Sequence, residues 1–289
     1  MPGTLLYGMI LFDLIEGKYY IGGPEINIAL HMAFRGEKPT LISCVGDDDL
    51  GKTALKMLTD HGISTEFVKI DKEHETGKVI VSLDSKGNPT FNLLKQVAYD
   101  YITLTEAEFM KLSQTTFDFL YFGSNTQREE VGKNTARELI RRASYKHAFC
   151  DINLRKGVYT SELIEYCLSH SDILKLNNHE IIEIANLYQL GTVDEQEIIN
   201  WLFEKYHIEF ILLTRGENGA TVFTHTGRQD FPGIKVDVKD TVGAGDGFSA
   251  GFLMEFTKSG NLMLAAQKGN ELGAYVASKT GAVPEIEEE

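Results

Sequence analysis

The sequence predicts an α/β fold, with a mostly parallel central sheet covered by helices on both faces and a small β lid. Three observations carry that expectation. Strand-like and helix-like segments alternate along most of the 289 residues. That rhythm needs crossover connections, and parallel sheets supply them. One hairpin, within residues 76–94, interrupts the rhythm. A glycine-rich turn at Asp240-Thr241-Val242-Gly243-Ala244-Gly245-Asp246-Gly247 opens an apolar helix near the C-terminus.

Taken in order, residues 5–14 form an apolar run that reads as one first strand. Residues 16–22 carry turn chemistry and tyrosines and read as a small excursion from it. Gly22-Gly23-Pro24 starts a helix to about residue 35, with Pro24 where a missing N–H costs nothing. Residues 40–45 read as a buried strand and 50–61 as a helix. In the hairpin, Val79, Val81 and Leu83 alternate, residues 84–87 turn, and 90–94 run back. Further helices are predicted at 105–114, 129–143, 161–170, 178–187 and 194–206. Strands are predicted at 117–122, 148–152, 173–175 and 210–213, with a second hairpin at 220–224 and 228–231. A strand-like run at 234–238 precedes the glycine turn, and helices begin near Asp246 and Leu262. No linker or internal repeat divides the chain, so residues 1–289 read as a single domain. The lid falls at about 14–22 and 76–98.

The overall balance narrows the function. A net charge of −14 argues against nucleic acid or an anionic membrane as partner. No apolar run reaches the roughly 18 residues of a membrane span. Cys44, Cys150 and Cys167 are scattered and odd in number, and read as buried thiols of a reducing cytoplasm. The N-terminus lacks a signal-peptide pattern. The tail 285–289 is acidic and expected to fray.

The glycine turn at 240–247 gathers backbone N–H groups at the positive end of a helix, a ready anion site. A carboxylate there is out of place in a plain anion site. It fits if Asp246 accepts a proton while the backbone at Gly243, Ala244 and Gly245 stabilises developing negative charge. The plain alternative is a glycine turn with a helix-terminal acid. A dinucleotide fingerprint fails, because its third glycine would fall on Phe248.

Gly46-Asp47-Asp48-Asp49-Leu50-Gly51-Lys52-Thr53 satisfies the phosphate-loop pattern letter for letter. Three consecutive aspartates would repel phosphates, so the match reads as a decoy. Asp151, Asn153 and Arg155 end a strand. They are either a solvated loop or ligand contacts, with Arg155 able to meet a transferring phosphoryl group. Asn177 and Glu180 read either as a helix cap or as a cap whose Glu180 orders waters around a magnesium ion. The turn containing Thr214, Gly216 and Gly219 allows close approach of a nucleotide. Asp13 and Asn27, at element ends, suit polyol hydroxyls or act as caps.

Together these stretches resemble the ribokinase-like, phosphofructokinase-B type carbohydrate kinases, nearly end to end. Gly22-Gly23 with Asn27, then Val45-Gly46-Asp47 with Gly51, are similar to the family's first signature. Asp240-Thr241 through Gly243-Ala244-Gly245-Asp246, with Phe248 and Gly251, are similar to its second. Asn177 and Glu180 resemble its magnesium-associated motif. Within the family, His74-Glu75-Thr76-Gly77-Lys78-Val79, Ala98-Tyr99-Asp100 and Asp151-x-Asn153-x-Arg155 resemble bacterial fructokinases. Two positions depart from that subfamily. Met9 follows Gly8 where Glu is usual, and Pro24-Glu25 follow Gly23 where Ala-Pro is usual. Glu25 is therefore expected to add a charge near the sugar pocket.

The resemblance implies a three-layer α/β/α ribokinase-like fold. It implies transfer of a phosphoryl group from ATP, with Mg2+, to fructose; ribose or 2-keto-3-deoxygluconate stays open as the acceptor, and a non-catalytic sugar or nucleotide sensor on the same fold is the second reading. Asp246 would be the base, with Arg155 assisting. Asp13, Gly23, Asn27, Asp151 and Asn153 would hold the sugar. Asn177, Thr214, Gly216, Gly219, Gly243, Gly245 and Asn270 would line the nucleotide, Asn270 by its place in the final helix. Glu180 would orient the metal's water shell. A monovalent cation such as K+ is left open as an activator, and a homodimer built through the lid is expected.

Overall fold

The first apolar run does not form one strand. In the computed structural model, which describes residues 3–15, 17–83, 89–155 and 157–284, it breaks at Gly8. Strand β1 (Thr4–Tyr7) belongs to the main sheet, and β2 (Leu11–Ile15) belongs to a second one. A hydropathy pattern cannot register this change of sheet, because both halves are apolar. β3 (Lys18–Gly22) returns along β2, and α1 (Pro24–Ala33) follows, as expected from Pro24 at its start.

The chain continues through β4 (Thr40–Gly46), α2 (Asp49–Asp60) and a short β5 (Val68–Asp71). The hairpin strands β6 (Gly77–Leu83) and β7 (Pro89–Leu93) come next. Then follow α3 (Glu106–Ser113), β8 (Thr116–Gly123), α4 (Glu130–Arg142), β9 (Ser144–Asp151) and α5 (Ser161–Ser169). After them come β10 (Ile173–Asn177), α6 (Asn178–Leu187), α7 (Glu195–Lys205) and β11 (Phe210–Thr214). The chain closes with β12 (Gly219–Thr224), β13 (Gly227–Pro232), α8 (Ala244–Ser259) and α9 (Leu262–Ala277).

Among the described residues, nine strands form the main sheet in the order β13-β12-β11-β10-β9-β8-β1-β4-β5. It is parallel from β5 to β11, and the β11–β12–β13 edge is antiparallel. Two apolar layers cover it. Phe109, Leu139, Ile164, Ile184 and Leu202 pack on one face, and Ile28, Leu58, Phe248 and Ala265 on the other. This is the expected three-layer α/β/α arrangement. Strand order reverses between β1 and β8, which opens a crevice at the carboxyl ends where such sheets bind ligands.

The hairpin joins β2 and β3 in a four-stranded sheet of order β3-β2-β6-β7. Two partly buried polar clamps fix its base. At the entry, Thr76 N donates to Asp48 Oδ2 at 2.8 Å, and the Thr76 hydroxyl donates to Asp48 Oδ1 at 2.7 Å. At the return, Arg128 holds Asp100 through two hydrogen bonds of 2.6 and 2.7 Å and donates to Leu94 O at 2.6 Å.

The run at 234–238 is not a strand. Its alternation is genuine, but β13 already ends the sheet, and Ile234 and Val238 stay exposed. α8 begins at Ala244, two residues ahead of the expected start near Asp246, so Asp246 lies inside its first turn. The three cysteines are free and buried. The expectations for residue 16, the turn at 84–87 and the tail 285–289 fall outside the described residues.

Candidate active site

The crevice between β1 and β8 gathers the ends of several elements. Gly8 follows β1, Asp151 ends β9, Asn177 ends β10 and Thr214 ends β11. Opposite them stands the N-terminus of α8. Gly243 caps that helix at φ 76°, and an added Cβ there would lie 2.6 Å from the Cα of Ala282. Only glycine meets both conditions. Asp240 holds the turn through N–H groups of Val242 (3.0 Å) and Gly281 (3.2 Å). The Ala244 N–H is turned to Thr241 O at 3.3 Å. Those of Gly245 and Asp246 belong to the first turn, where a helix offers no acceptor of its own.

Asn27, on α1, donates from Nδ2 to Asp246 Oδ2 at 2.8 Å across 219 residues of sequence. Its own Oδ1 is buried and accepts no hydrogen bond among the described residues. Burial raises the Asp246 carboxyl to about 6, against the Asn27 hydrogen bond and the Lys175 charge, which pull it down. At neutral pH it is an ionised base close to its transition.

Gly23 precedes α1 at φ 110°, where a Cβ would stand 2.6 Å from Met9 O. Asp13 projects over Gly22, whose Cβ would meet its Oδ2 at 2.7 Å. Burial lifts Asp13 to about 6, with Arg155 opposing and Asp240 reinforcing the rise. Arg155 is exposed, and its charge reaches both Asp13 and Asp246. Asn153 takes φ 41° and its carbonyl accepts from Asn125 Nδ2 at 3.0 Å.

Asp151 points inward and is 4% exposed. Its Oδ2 accepts from Lys175 Nζ at 2.5 Å and from the Tyr121 hydroxyl at 3.0 Å. Lys175 itself is 6% exposed and was not foreseen from sequence. The signal was available, since it is a lone charge between Leu174 and Leu176 in a fully buried strand.

Asn177 and Glu180 form a capping box. Asn177 Oδ1 accepts from the N–H groups of His179 (2.9 Å) and Glu180 (3.0 Å), and Glu180 Oε2 accepts from Asn177 N (2.8 Å). Glu180 Oε1 also accepts from Leu154 N at 3.0 Å, joining the 151–155 loop to α6. Each oxygen keeps one lone pair, so the residue fits a water-mediated contact to a metal. Among the described residues, no group of three or more His, Cys, Asp or Glu could hold a metal ion by itself. Thr214 donates to Leu176 O at 3.2 Å. Gly216 (φ 57°) and Gly219 (φ 92°) shape the next turn, and Asn270 Nδ2 donates to Pro232 O at 2.9 Å beside it.

Two expectations meet a definite outcome. The phosphate-loop pattern at 46–53 is a helix cap: Asp48 accepts from Gly51 N at 2.8 Å while gripping Thr76, so the protein's own carboxylate occupies that N-terminus. Glu25 is turned inward beside Gly8, with Asp246 and Asp151 near it. It is 3% exposed, and its Oε2 accepts from Met9 N at 3.0 Å. Its carboxyl occupies the space where a side chain at Gly8 would be, since a Cβ there would lie 1.8 Å from Glu25 Cδ.

The chain is similar to known proteins along most of its length. Fructokinase-2 of Zea mays is 26% identical over 279 residues, covering 92% of this chain and 82% of its own. The aminoimidazole riboside kinase of Salmonella typhimurium is 24% identical, covering 91% and 83%. The crystal structure of fructokinase from Vibrio cholerae O395 in apo form superposes with a TM-score of 0.82 at 23% identity, over 97% of this chain and all of that one. That enzyme has also been solved with fructose, ADP and calcium ion bound. Residues 11–289 match the model of the pfkB family carbohydrate kinases, and the chain belongs to that family: it is a sugar kinase, a phosphotransferase with an alcohol group as acceptor.

Proposed function

We propose that the protein is an ATP-dependent ketose kinase, converting fructose to fructose 6-phosphate. The observation that carries the reading is the 2.8 Å contact between Asn27 and Asp246. It joins a helix start suited to hydroxyl groups with a base beside an anion hole. In this reading Asp13, Gly23, Asn27 and Asn153 form the sugar side, and Asp151, expected there from the sequence, is turned inward to Lys175 and supports it from behind. Asp246 accepts the proton of the attacking hydroxyl as that oxygen bonds to the γ-phosphorus and the bond to the β-phosphate oxygen breaks. The N–H groups of Gly245 and Asp246, in the turn that Gly243 shapes and the Ala244–Thr241 hydrogen bond closes, face the charge that builds on the phosphoryl oxygens, and Arg155 approaches from the sugar side. Asn177, Thr214, Gly216, Gly219 and Asn270 border the nucleotide. A magnesium ion carried on the nucleotide phosphates would neutralise part of their charge, with Glu180 ordering its water. The small sheet closes over the sugar and excludes water as a competing nucleophile. The reading places the enzyme in the cytoplasm and, by analogy with the family, as a homodimer.

The comparable similarity to a riboside kinase supports a second reading, a ribose-type acceptor. A panel of fructose, ribose, aminoimidazole riboside and 2-keto-3-deoxygluconate with ATP, read by ADP release, separates them. Fastest turnover is expected with fructose. Turnover of a riboside with none of fructose would overturn the fructose assignment.

A further inference from the structure

Lys175 lies in the middle of the main sheet, flanked by β9 and β11. Leu174 and Leu176 beside it are fully buried. A buried ion pair such as Lys175–Asp151 is a poor stabiliser. Desolvation costs several kcal/mol per ion, and an apolar pair of similar volume often does as well or better. What the ion pair provides is a charge in a particular place. A Cβ added to Gly245 would stand 3.5 Å from Lys175 Nζ, so the ammonium lies directly behind the backbone of the anion hole. Ser249, one helical turn on, is within reach of both Asp151 Oδ2 (3.5 Å) and Gly245 O (3.2 Å). The pair is thereby joined to the first turn of α8 from two sides.

We infer that Lys175 is a positioning residue for phosphoryl transfer: held by Asp151, it keeps a fixed positive charge beneath the hole at 243–246. That charge acts in two ways. It favours the ionised form of Asp246, and it strengthens the hole toward the oxygens of the transferring group. The groups around Asp246 are Glu25 and Asn27 from α1, Tyr121 from β8, Asp151 from β9, Arg155 beyond it and Lys175 from β10. Of the cations among them, Lys175 has the larger effect on Asp246. The inference rests on Asp246 as the base.

The test compares wild type, Asp151→Asn, Asp151→Asn/Lys175→Met and Asp246→Asn, using ATP and whichever of the four acceptors above gives the fastest ADP release. Asp151→Asn keeps the ammonium, and the double variant removes it without leaving a buried carboxylate. Relative to Asp151→Asn, the double variant should keep its Tm, keep KM for ATP within about threefold, and lose kcat on the order of 10²-fold. The acid limb of its kcat/KM profile should move to higher pH. Asp151→Asn/Lys175→Gln, which preserves a side-chain hydrogen bond, serves if the methionine variant does not fold. Equal kcat and an unmoved acid limb in either folded double variant overturn the role of Lys175. Near-normal turnover in Asp246→Asn instead overturns the base assignment on which the inference rests.

Discussion

Replacing Glu25 by Gln should flatten the dependence of stability on pH. Glu25 is buried, its Oε2 accepts from one backbone N–H, and Asp246 and Asp151 face it with like charge. Burial is the main cause that pushes its carboxyl from the ordinary 4.5 up to about 8. Below pH 4.5 the folded and unfolded chains both hold the proton, and Glu25 costs nothing. Between 4.5 and 8 the unfolded chain has released it while the folded chain has not. The native state then binds more protons, so stability falls as pH rises. At 1.36 kcal/mol per pH unit, the loss accumulates to about 5 kcal/mol by pH 8. The amide of the variant has nothing to titrate, and its oxygen can still accept from Met9 N. Urea unfolding of both proteins at pH 5, 6, 7 and 8 should therefore show the gap moving in favour of the variant by about 4 kcal/mol across that range. Turnover at pH 7 should stay within about threefold of wild type, because the native carboxyl is neutral there. Parallel stability curves, with a gap constant to within about 1 kcal/mol, would refute an un-ionised Glu25.

Asp246→Asn should lower kcat by about 10³-fold or more, with KM for ATP little changed, in steady-state assays of ADP release. With Asp246 titrating at about 6, kcat/KM should fall on the acid side of that value, since the protonated carboxyl cannot accept the hydroxyl proton; a profile flat down to pH 5 would exclude it as the base. Gly243→Ala faces both a left-handed backbone and the Cα of Ala282, and should cost turnover on the order of 10²-fold while the sugar still binds by calorimetry. Arg128→Met strands Asp100, which is fully buried, and should lower unfolding free energy by about 3–5 kcal/mol in urea melts.

Much of this architecture was legible because local chemistry and global fold agree. Asn177 and Glu180 announce a cap and form one, and Pro24 announces a helix start. The glycines at 243 and 23 sit where the backbone has positive φ. What was not legible depends on partners far away in sequence. The switch from β1 to β2 at Gly8 leaves the hydropathy pattern unbroken. The run at 234–238 lacks a neighbouring strand, which no local window can reveal. β5 is four residues long, too short for a periodic signal. Asp151 reads as the start of a polar loop, yet it faces inward because Lys175, Tyr121 and Ser249 converge on it from three other elements.

Glu25 shows how distant packing changes the meaning of a residue. Next to Gly22-Gly23 it looks like a charge in the sugar pocket. The space beside Gly8 draws it inward, and the resulting cluster holds three carboxyls (Glu25, Asp151 and Asp246) with Lys175 as a buried cation among them. Three ionised carboxylates there would raise Asp246 further and leave it protonated at neutral pH, useless as a base. The protein avoids that by separating the three. Asp151 is paired to Lys175, Glu25 is confined where it stays neutral until about pH 8, and Asp246, assisted by Asn27, ionises near 6. Two neighbouring carboxyls driven apart by their surroundings identify which one can serve as base. Between those two values Asp246 is free to accept a proton and Glu25 is not.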